Sequence, residues 1–127
     1  MPHIIVEYTE NLKEEGNIPA LLQKINESLI AEGGLFPVGG IRSRAICLQD
    51  FVVADGKGED DAFVHVSLKI GSGRPEDAKK AACERLFAVI EEHFQHLFQK
   101  RYLALSMELF EFTHATYKKN NIHERYR

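Results

Sequence analysis

The chain repeats one hydrophobic pattern, strand then helix then strand, twice along its length. In the first half, positions 3–8 are mostly β-branched or aromatic, with Ile4, Val6 and Tyr8 on one side of an extended run and His3, Ile5 and Glu7 on the other. Apolar residues then recur at helical spacing after Asn17, until Gly33 and Gly34 end the pattern, and a second β-type run covers residues 41–53. A period of two predicts a strand and a period near 3.6 predicts a helix, so this half predicts a βαβ unit.

The second half has the same order of elements. A polar connector at residues 55–61 precedes a strand at 63–70, a helix from Pro75 to about residue 100, and a last strand at 103–112. Proline suits a helix start because it lacks the N–H that would have no partner there. The sequence therefore predicts one domain over residues 1–127, with an internal repeat of roughly 2–54 and 62–112.

The repeat predicts a specific architecture. Right-handed crossovers would place both helices on the same face of a four-stranded mixed sheet, which is an α+β fold. The other face would carry partly apolar residues, including Ile5, Phe63 and Phe110. Because such a surface is too apolar to stay in water, we expect the chain to oligomerise through it.

Composition excludes several classes of protein. The 127 residues contain 16 Lys and Arg against 19 Asp and Glu, so no broad basic field is available for nucleic acid or an anionic membrane. No apolar run approaches the roughly 20 residues that cross a bilayer, and the start has no basic segment typical of a secretory signal. We expect a cytoplasmic protein in which Cys47 and Cys83 are reduced thiols.

Metal and nucleotide sites are not predicted. His93 and His96 lie three apart on the second helix, but spacing supplies no further ligand, so we interpret them as a partly exposed pair. His65 is interpreted as a packing or interface residue. The stretch Gly71-Ser72-Gly73 lacks the spacing of a phosphate-binding loop. We therefore expect no metal and no bound nucleotide.

Pro2 is the position with the most distinctive chemistry. Removal of Met1 would leave a secondary amine at the start of a strand. An α-amino group has a pKa near about 8, and burial or nearby cations lower it, so this nitrogen could act as a general base at neutral pH. While Met1 is attached, the nitrogen is an amide and is not basic. The alternative is that Pro2 only protects the amino terminus from aminopeptidases.

A small chain that starts with proline and contains two βαβ units resembles the tautomerase superfamily. The resemblance implies a trimer that uses an amino-terminal proline as acid and base. Four stretches, PHIIVEYTENLKEE, GLFPVGGIRSRA, ADGKGEDDAFVHVSLKIGSGR and KKNNIHERYR, resemble the 5-carboxymethyl-2-hydroxymuconate isomerases of homoprotocatechuate (4-hydroxyphenylacetate) breakdown. This narrower resemblance implies a cofactor-free isomerase that moves a proton from the enol oxygen of a dienol acid to a distant carbon.

The resemblance also implies roles for particular residues. Pro2 takes the role of the base, while Arg42 in GGIRSR and Arg74 in GSGR are candidates for binding the substrate carboxylates. Guanidinium groups bind carboxylates with two parallel hydrogen bonds, although an isolated loop arginine is ordinarily solvated or in a surface ion pair. Arg44, which lies on the same strand face, is an alternative to Arg42, and Lys69 is a further possible cation.

Two other functions remain open at this point. The chain could be a sister tautomerase that acts on another enol acid, such as a phenylpyruvate-type or oxalocrotonate-type substrate. It could also be a catalytically silent trimer that serves as a binding module. Residues 120–123 match the ending of the resembled family; we expect this tail to reach a neighbouring subunit and assign it no catalytic role.

Overall fold

The computed structural model describes residues 1–127 and confirms the order of elements. Three short 3-10 helices supplement the strands and the two longer helices. The elements in chain order are β1 (His3–Thr9), a 3-10 turn at Glu10–Leu12, α1 (Ile18–Ile30), a 3-10 turn at Val38–Gly40, β2 (Arg42–Leu48), β3 (Ala62–Gly71), α2 (Glu76–Phe98), β4 (Leu103–Phe112) and a 3-10 helix at Ile122–Tyr126.

The four strands form one mixed sheet in the order β2-β1-β3-β4. Within each half of the chain the two strands are parallel, and the two halves meet through the antiparallel pair of β1 and β3. This arrangement confirms the predicted four-stranded mixed sheet. The register places His3 opposite Arg42 on one side and opposite Lys69 on the other, so these three residues share one sheet face.

Both helices pack on the other face of the sheet, as predicted. Alternate strand residues such as Ile4, Val6 and Leu68 are fully buried there, together with Leu21 of α1 and Ile90 of α2. They belong to a single cluster of 19 buried apolar residues. Burying each large apolar side chain contributes about 1.5–3 kcal/mol, so this core is the main source of stability. Neither helix combines the length and the apolar character that spanning a bilayer requires.

The predicted extent of the second strand was wrong. β2 ends at Leu48 rather than at residue 53. Leu48 pairs with Thr9, the last residue of β1. After Thr9 the chain enters the 3-10 helix Glu10–Leu12, so β1 offers no strand partner to residues 49–53. Phe51 instead packs edge to face on Phe63, with the ring centroids 6.3 Å apart.

The interpretation of His93 as partly exposed was also wrong. This side chain is only 8% exposed, whereas His96 is exposed. The Nε2 atom of His93 lies 2.7 Å from the carbonyl oxygen of Gly16, and its Nδ1 lies 3.0 Å from the ammonium of Lys24. A neutral ring satisfies both contacts, because Nε2–H can donate to the carbonyl while Nδ1 accepts from the ammonium.

Folding should therefore depend on the protonation of His93. Burial lowers its pKa from the ordinary 6.5, and Lys24 and His96 lower it further. Below about pH 6.5 the unfolded chain binds a proton that the folded chain still excludes, so this contribution to stability falls as the pH drops towards the folded pKa. The unfolding free energy of the parent should fall between pH 7 and pH 5, and we expect a smaller fall in His93→Gln, measured by urea denaturation at both pH values. His96→Gln is the control, and an equal pH dependence in both variants would contradict the prediction.

Candidate active site

The amino terminus is held at the end of the sheet where the parallel strands β1 and β2 begin. Pro2 is buried, and its carbonyl oxygen accepts a hydrogen bond from the backbone N–H of Arg42 at 3.2 Å. This bond extends the parallel pairing of the two strands by one residue. It therefore places the nitrogen of Pro2 next to the strand that carries Arg42.

Two buried glycines in the 3-10 turn before β2 make room for the amino terminus and the carboxyl-terminal tail. A Cβ atom on Gly40 would lie 3.2 Å from Cγ of Met1. A Cβ atom on Gly39 would lie 2.8–2.9 Å from three atoms of His123, two of them in the backbone. The missing side chains thus allow two distant parts of the chain to meet at this turn.

The tail returns to the amino terminus of its own chain. The side-chain amide of Asn120 donates to the carbonyl oxygen of Gly39 at 2.8 Å, and its oxygen accepts the N–H of Ile122 at 2.8 Å. The 3-10 helix Ile122–Tyr126 packs against the turn Val38–Gly40. The tail, to which the sequence assigned no catalytic role, therefore forms one wall of the site.

Two adjacent clefts open beside the amino terminus. The first has a volume of about 340 Å³ and is lined by Met1, His3, Arg42, Phe112, Thr116, Tyr117, Lys118 and Lys119. The second has a volume of about 430 Å³ and is lined by Met1, Pro37, Arg74, Lys118, Asn120 and His123. Because Met1 and Lys118 line both clefts, Met1 lies where the two adjoin.

Arg74 is held firmly in the second cleft. Its Nε donates to the carbonyl oxygen of Leu35 and its Nη1 to that of Gly71, both at 3.0 Å. Its guanidinium also lies over the ring of Phe36, 4.8 Å from the centroid. These three contacts fix the orientation of the group, while Nη2 makes no hydrogen bond within the chain. Arg74 is thus a preorganised cation rather than a solvated loop residue.

Arg42 lies in the first cleft, and the two alternative cations lie outside both clefts. The Nη2 atom of Arg42 is 3.6 Å from the sulfur of Met1. Arg44 instead contacts Nδ1 of His3 at 3.3 Å, and the ammonium of Lys69 lies 5.8 Å from the centroid of the Phe110 ring. The structure thus places Arg42 and Arg74 in the two clefts beside the amino terminus, with Pro2 buried next to Met1.

The environment of the amino terminus is electropositive. Burial lowers the pKa of the α-amino group of Met1 below its ordinary value of 8.0, and the charges of Lys118, Arg74 and Arg42 lower it further. The same charges favour bound carboxylates. The arrangement therefore disfavours the protonated form of an amine and favours a carboxylated ligand beside it.

Lys118 is the site residue that sequence reasoning missed. It follows the last strand by six residues, in a tail whose path depends on contacts with Gly39. The available signal was the adjacent pair Lys118-Lys119, two cations in the polar tail that follows the last predicted strand. Spacing alone gives no distance between this pair and the amino terminus.

The other reactive side chains are not gathered into a second centre. His65 Nδ1 is 2.7 Å from the hydroxyl of Ser106, and Cys47 and Cys83 are free thiols. No group of three or more His, Cys, Asp and Glu side chains is positioned to hold a metal ion.

Comparisons with known proteins agree on one family. The sequence model of 5-carboxymethyl-2-hydroxymuconate isomerase matches residues 2–126. The 5-carboxymethyl-2-hydroxymuconate Delta-isomerase of Escherichia coli is 46% identical over 125 residues, which cover 97% of each chain. A crystal structure of a 5-carboxymethyl-2-hydroxymuconate isomerase from Deinococcus radiodurans has a TM-score of 0.94 at 52% identity, covering 99% of this chain and 94% of that one.

A more distant solved structure shares the fold. A fused wild-type 4-OT, described as a symmetric trimer, has a TM-score of 0.57 at 18% identity and covers 93% of each chain. At this identity the likeness concerns the fold alone. It agrees with the predicted architecture of a mixed sheet covered by helices on one face.

The contact between the turn and the tail can be tested with Gly39→Ala. We expect the new methyl group to displace His123 and release residues 113–127, because two of its close contacts are backbone atoms. Hydrogen exchange in the tail should accelerate, as measured by mass spectrometry of the intact fold. Gly71→Ala is the matched control, since a Cβ there would meet nothing within 4 Å. Unchanged exchange in Gly39→Ala would disprove this tail position.

Proposed function

This chain belongs to the 5-carboxymethyl-2-hydroxymuconate isomerase family, and we propose that the nitrogen of Pro2 is the base of its reaction. The chain is an isomerase. In the proposed reaction, removal of Met1 exposes the secondary amine, which then converts the dienol acid to the conjugated oxo acid. No cofactor takes part.

The proposed proton transfer has two steps. The Pro2 nitrogen accepts the proton of the enol O–H, which leaves a dienolate and a protonated proline. The ammonium then returns that proton to the distal carbon, where a C–H bond forms while the oxygen becomes a ketone. One group can serve both steps because the base of the first step is the acid of the second.

One observation carries this proposal: the amino terminus lies between two clefts that each contain an arginine. Arg42 lines one cleft and Arg74 the other, and neither makes an ion pair within the chain. A substrate with carboxylates at both ends would place its conjugated centre beside Pro2. The same positive charges would stabilise the negative charge of the dienolate, and fixed charges do this well because they need no reorganisation during the reaction.

We also propose that the enzyme is a homotrimer in the cytoplasm. In the single chain, the sheet face opposite the helices leaves Ile46 46% and Phe110 45% exposed. Covering this face with neighbouring subunits would remove the apolar area from water. The trimer described for the distant 4-OT structure has the same fold, which supports this assembly.

Activity should follow the fraction of chains that have lost Met1. We expect preparations with different degrees of trimming to show a rate of dienol absorbance loss that is proportional to the Met-free fraction by intact mass. The reason is that a peptide nitrogen cannot accept the enol proton. Trimmed Pro2→Ala should be slower by about a hundredfold or more, the scale of a lost general base. Full activity of untrimmed chains, or of Pro2→Ala, would refute the proline mechanism.

The two arginines should each contribute to substrate binding. We expect Arg42→Gln and Arg74→Gln each to lower kcat/KM. The loss should correspond to about 2 kcal/mol of transition-state stabilisation, the scale of a lost charge-assisted contact. Arg44→Gln, from the same strand face but outside the clefts, should retain its KM. Steady-state kinetics on the trimmed proteins measure kcat and KM, and light scattering checks that each variant keeps the oligomeric state of the parent. A larger loss of kcat/KM in Arg44→Gln than in Arg42→Gln would contradict the assignment of Arg42 and indicate that Arg44 binds the carboxylate.

A further inference from the structure

The structure brings a third cation to the amino terminus, and we propose that Lys118 binds the third carboxylate of the substrate. 5-Carboxymethyl-2-hydroxymuconate has two carboxylates on its muconate chain and one on its carboxymethyl group. Arg42 and Arg74 account for two of them. This inference rests on the proposed function, because it assigns a further residue to the same site.

The position of Lys118 supports this role. Lys118 and Met1 are the two residues that line both clefts. A ligand that reaches from Arg42 to Arg74 must pass the place where the two clefts adjoin, which is also where Lys118 lies. The carboxymethyl branch leaves carbon 5, which also carries one terminal carboxylate, so the third carboxylate lies beside one end of the ligand. Because Lys118 lines both clefts, its ammonium is close to that carboxylate whichever cleft holds this end.

The local charge balance also indicates an anionic ligand with several charges. Several cations elsewhere in the chain have carboxylate partners, as Lys79 has in Glu111 and Arg101 in Asp60. Lys118 has no carboxylate within 4.0 Å, and neither arginine of the clefts has one. With Lys119, which lines the first cleft and also has no carboxylate within 4.0 Å, four unpaired cations share one small region of a chain whose net charge is -3. Such a cluster attracts a polyanion and repels small cations.

The tail that carries Lys118 is anchored on both sides of this residue, although the Lys118 side chain is exposed. Two residues later, Asn120 is hydrogen bonded to Gly39, and His123 packs where a larger residue at that glycine would collide. Phe112, six residues earlier, ends β4. The intervening tail is anchored at both ends, so the ammonium is confined to the neighbourhood of the amino terminus. Confinement lowers the entropy cost of binding a carboxylate.

Lys118 would then determine specificity rather than reactivity. A dienol without the carboxymethyl group could still use Pro2 and both arginines. Only the tricarboxylate would gain the contact with Lys118. The residue should therefore matter most for the substrate that carries the third carboxylate.

Two dienols and matched variants test this role. We expect trimmed Lys118→Gln to lower kcat/KM for 5-carboxymethyl-2-hydroxymuconate roughly tenfold to a hundredfold, mainly through KM. For 2-hydroxymuconate, which lacks the carboxymethyl group, its loss should be about twofold or less. Lys118→Arg should recover part of the activity because it restores the charge. Lys80→Gln, an exposed lysine of α2, should match the parent on both dienols.

The outcomes separate this inference from the function on which it rests. Equal losses on both dienols, or no loss on either, would refute the contact with the third carboxylate while the parent enzyme remains active. A trimmed parent that converts neither dienol would refute the proposed function, and the role of Lys118 with it. Intact mass and circular dichroism establish that all four proteins are trimmed and folded.

Discussion

The hydrogen bond between the carbonyl oxygen of Pro2 and the N–H of Arg42 determines where the site can form. It makes the amino terminus a continuation of the parallel pairing between β1 and β2 rather than a free end. A chain terminus ordinarily frays unless the structure holds it in place. Here the buried apolar side chains of β1 hold the strand, and the strand holds Pro2. The stability of the core and the geometry of the proposed base are therefore properties of the same element.

The two glycines before β2 connect this element to the end of the chain. Their missing side chains allow Met1 and His123 to approach the turn closely. As a result, the first and last segments of the sequence meet at one place, and β4 leads the tail towards it. The tail contributes both a wall of the clefts and a cation, Lys118, so a segment outside the sheet completes the site.

Local patterns in the sequence predicted most of the fold, because alternation and helical spacing report directly on which residues are buried. β4 has the predicted bounds, whereas β2 is shorter than predicted because its partner strand ends at Thr9. That limit depends on pairing between strands, which a single run of residues does not show. The structure places Arg42 and Arg74 in the two clefts that Met1 lines, and their roles towards a substrate stay a prediction. Lys118 and the burial of His93 escaped prediction because both depend on contacts between segments that are far apart in sequence.

The positive charge around the amino terminus couples substrate binding to the strength of the proposed base. Burial and the charges of Lys118, Arg74 and Arg42 lower the pKa of the Met1 α-amino group, and the same surroundings would disfavour protonation of a Pro2 amine exposed by loss of Met1. Bound carboxylates offset part of that positive charge and hence raise the pKa of the amine within the complex. Under the proposed mechanism, the nitrogen is thus more basic in the complex in which it removes the enol proton. A site with neutral hydrogen-bond donors in place of Arg42 and Arg74 could hold the carboxylates, but it would lack this coupling.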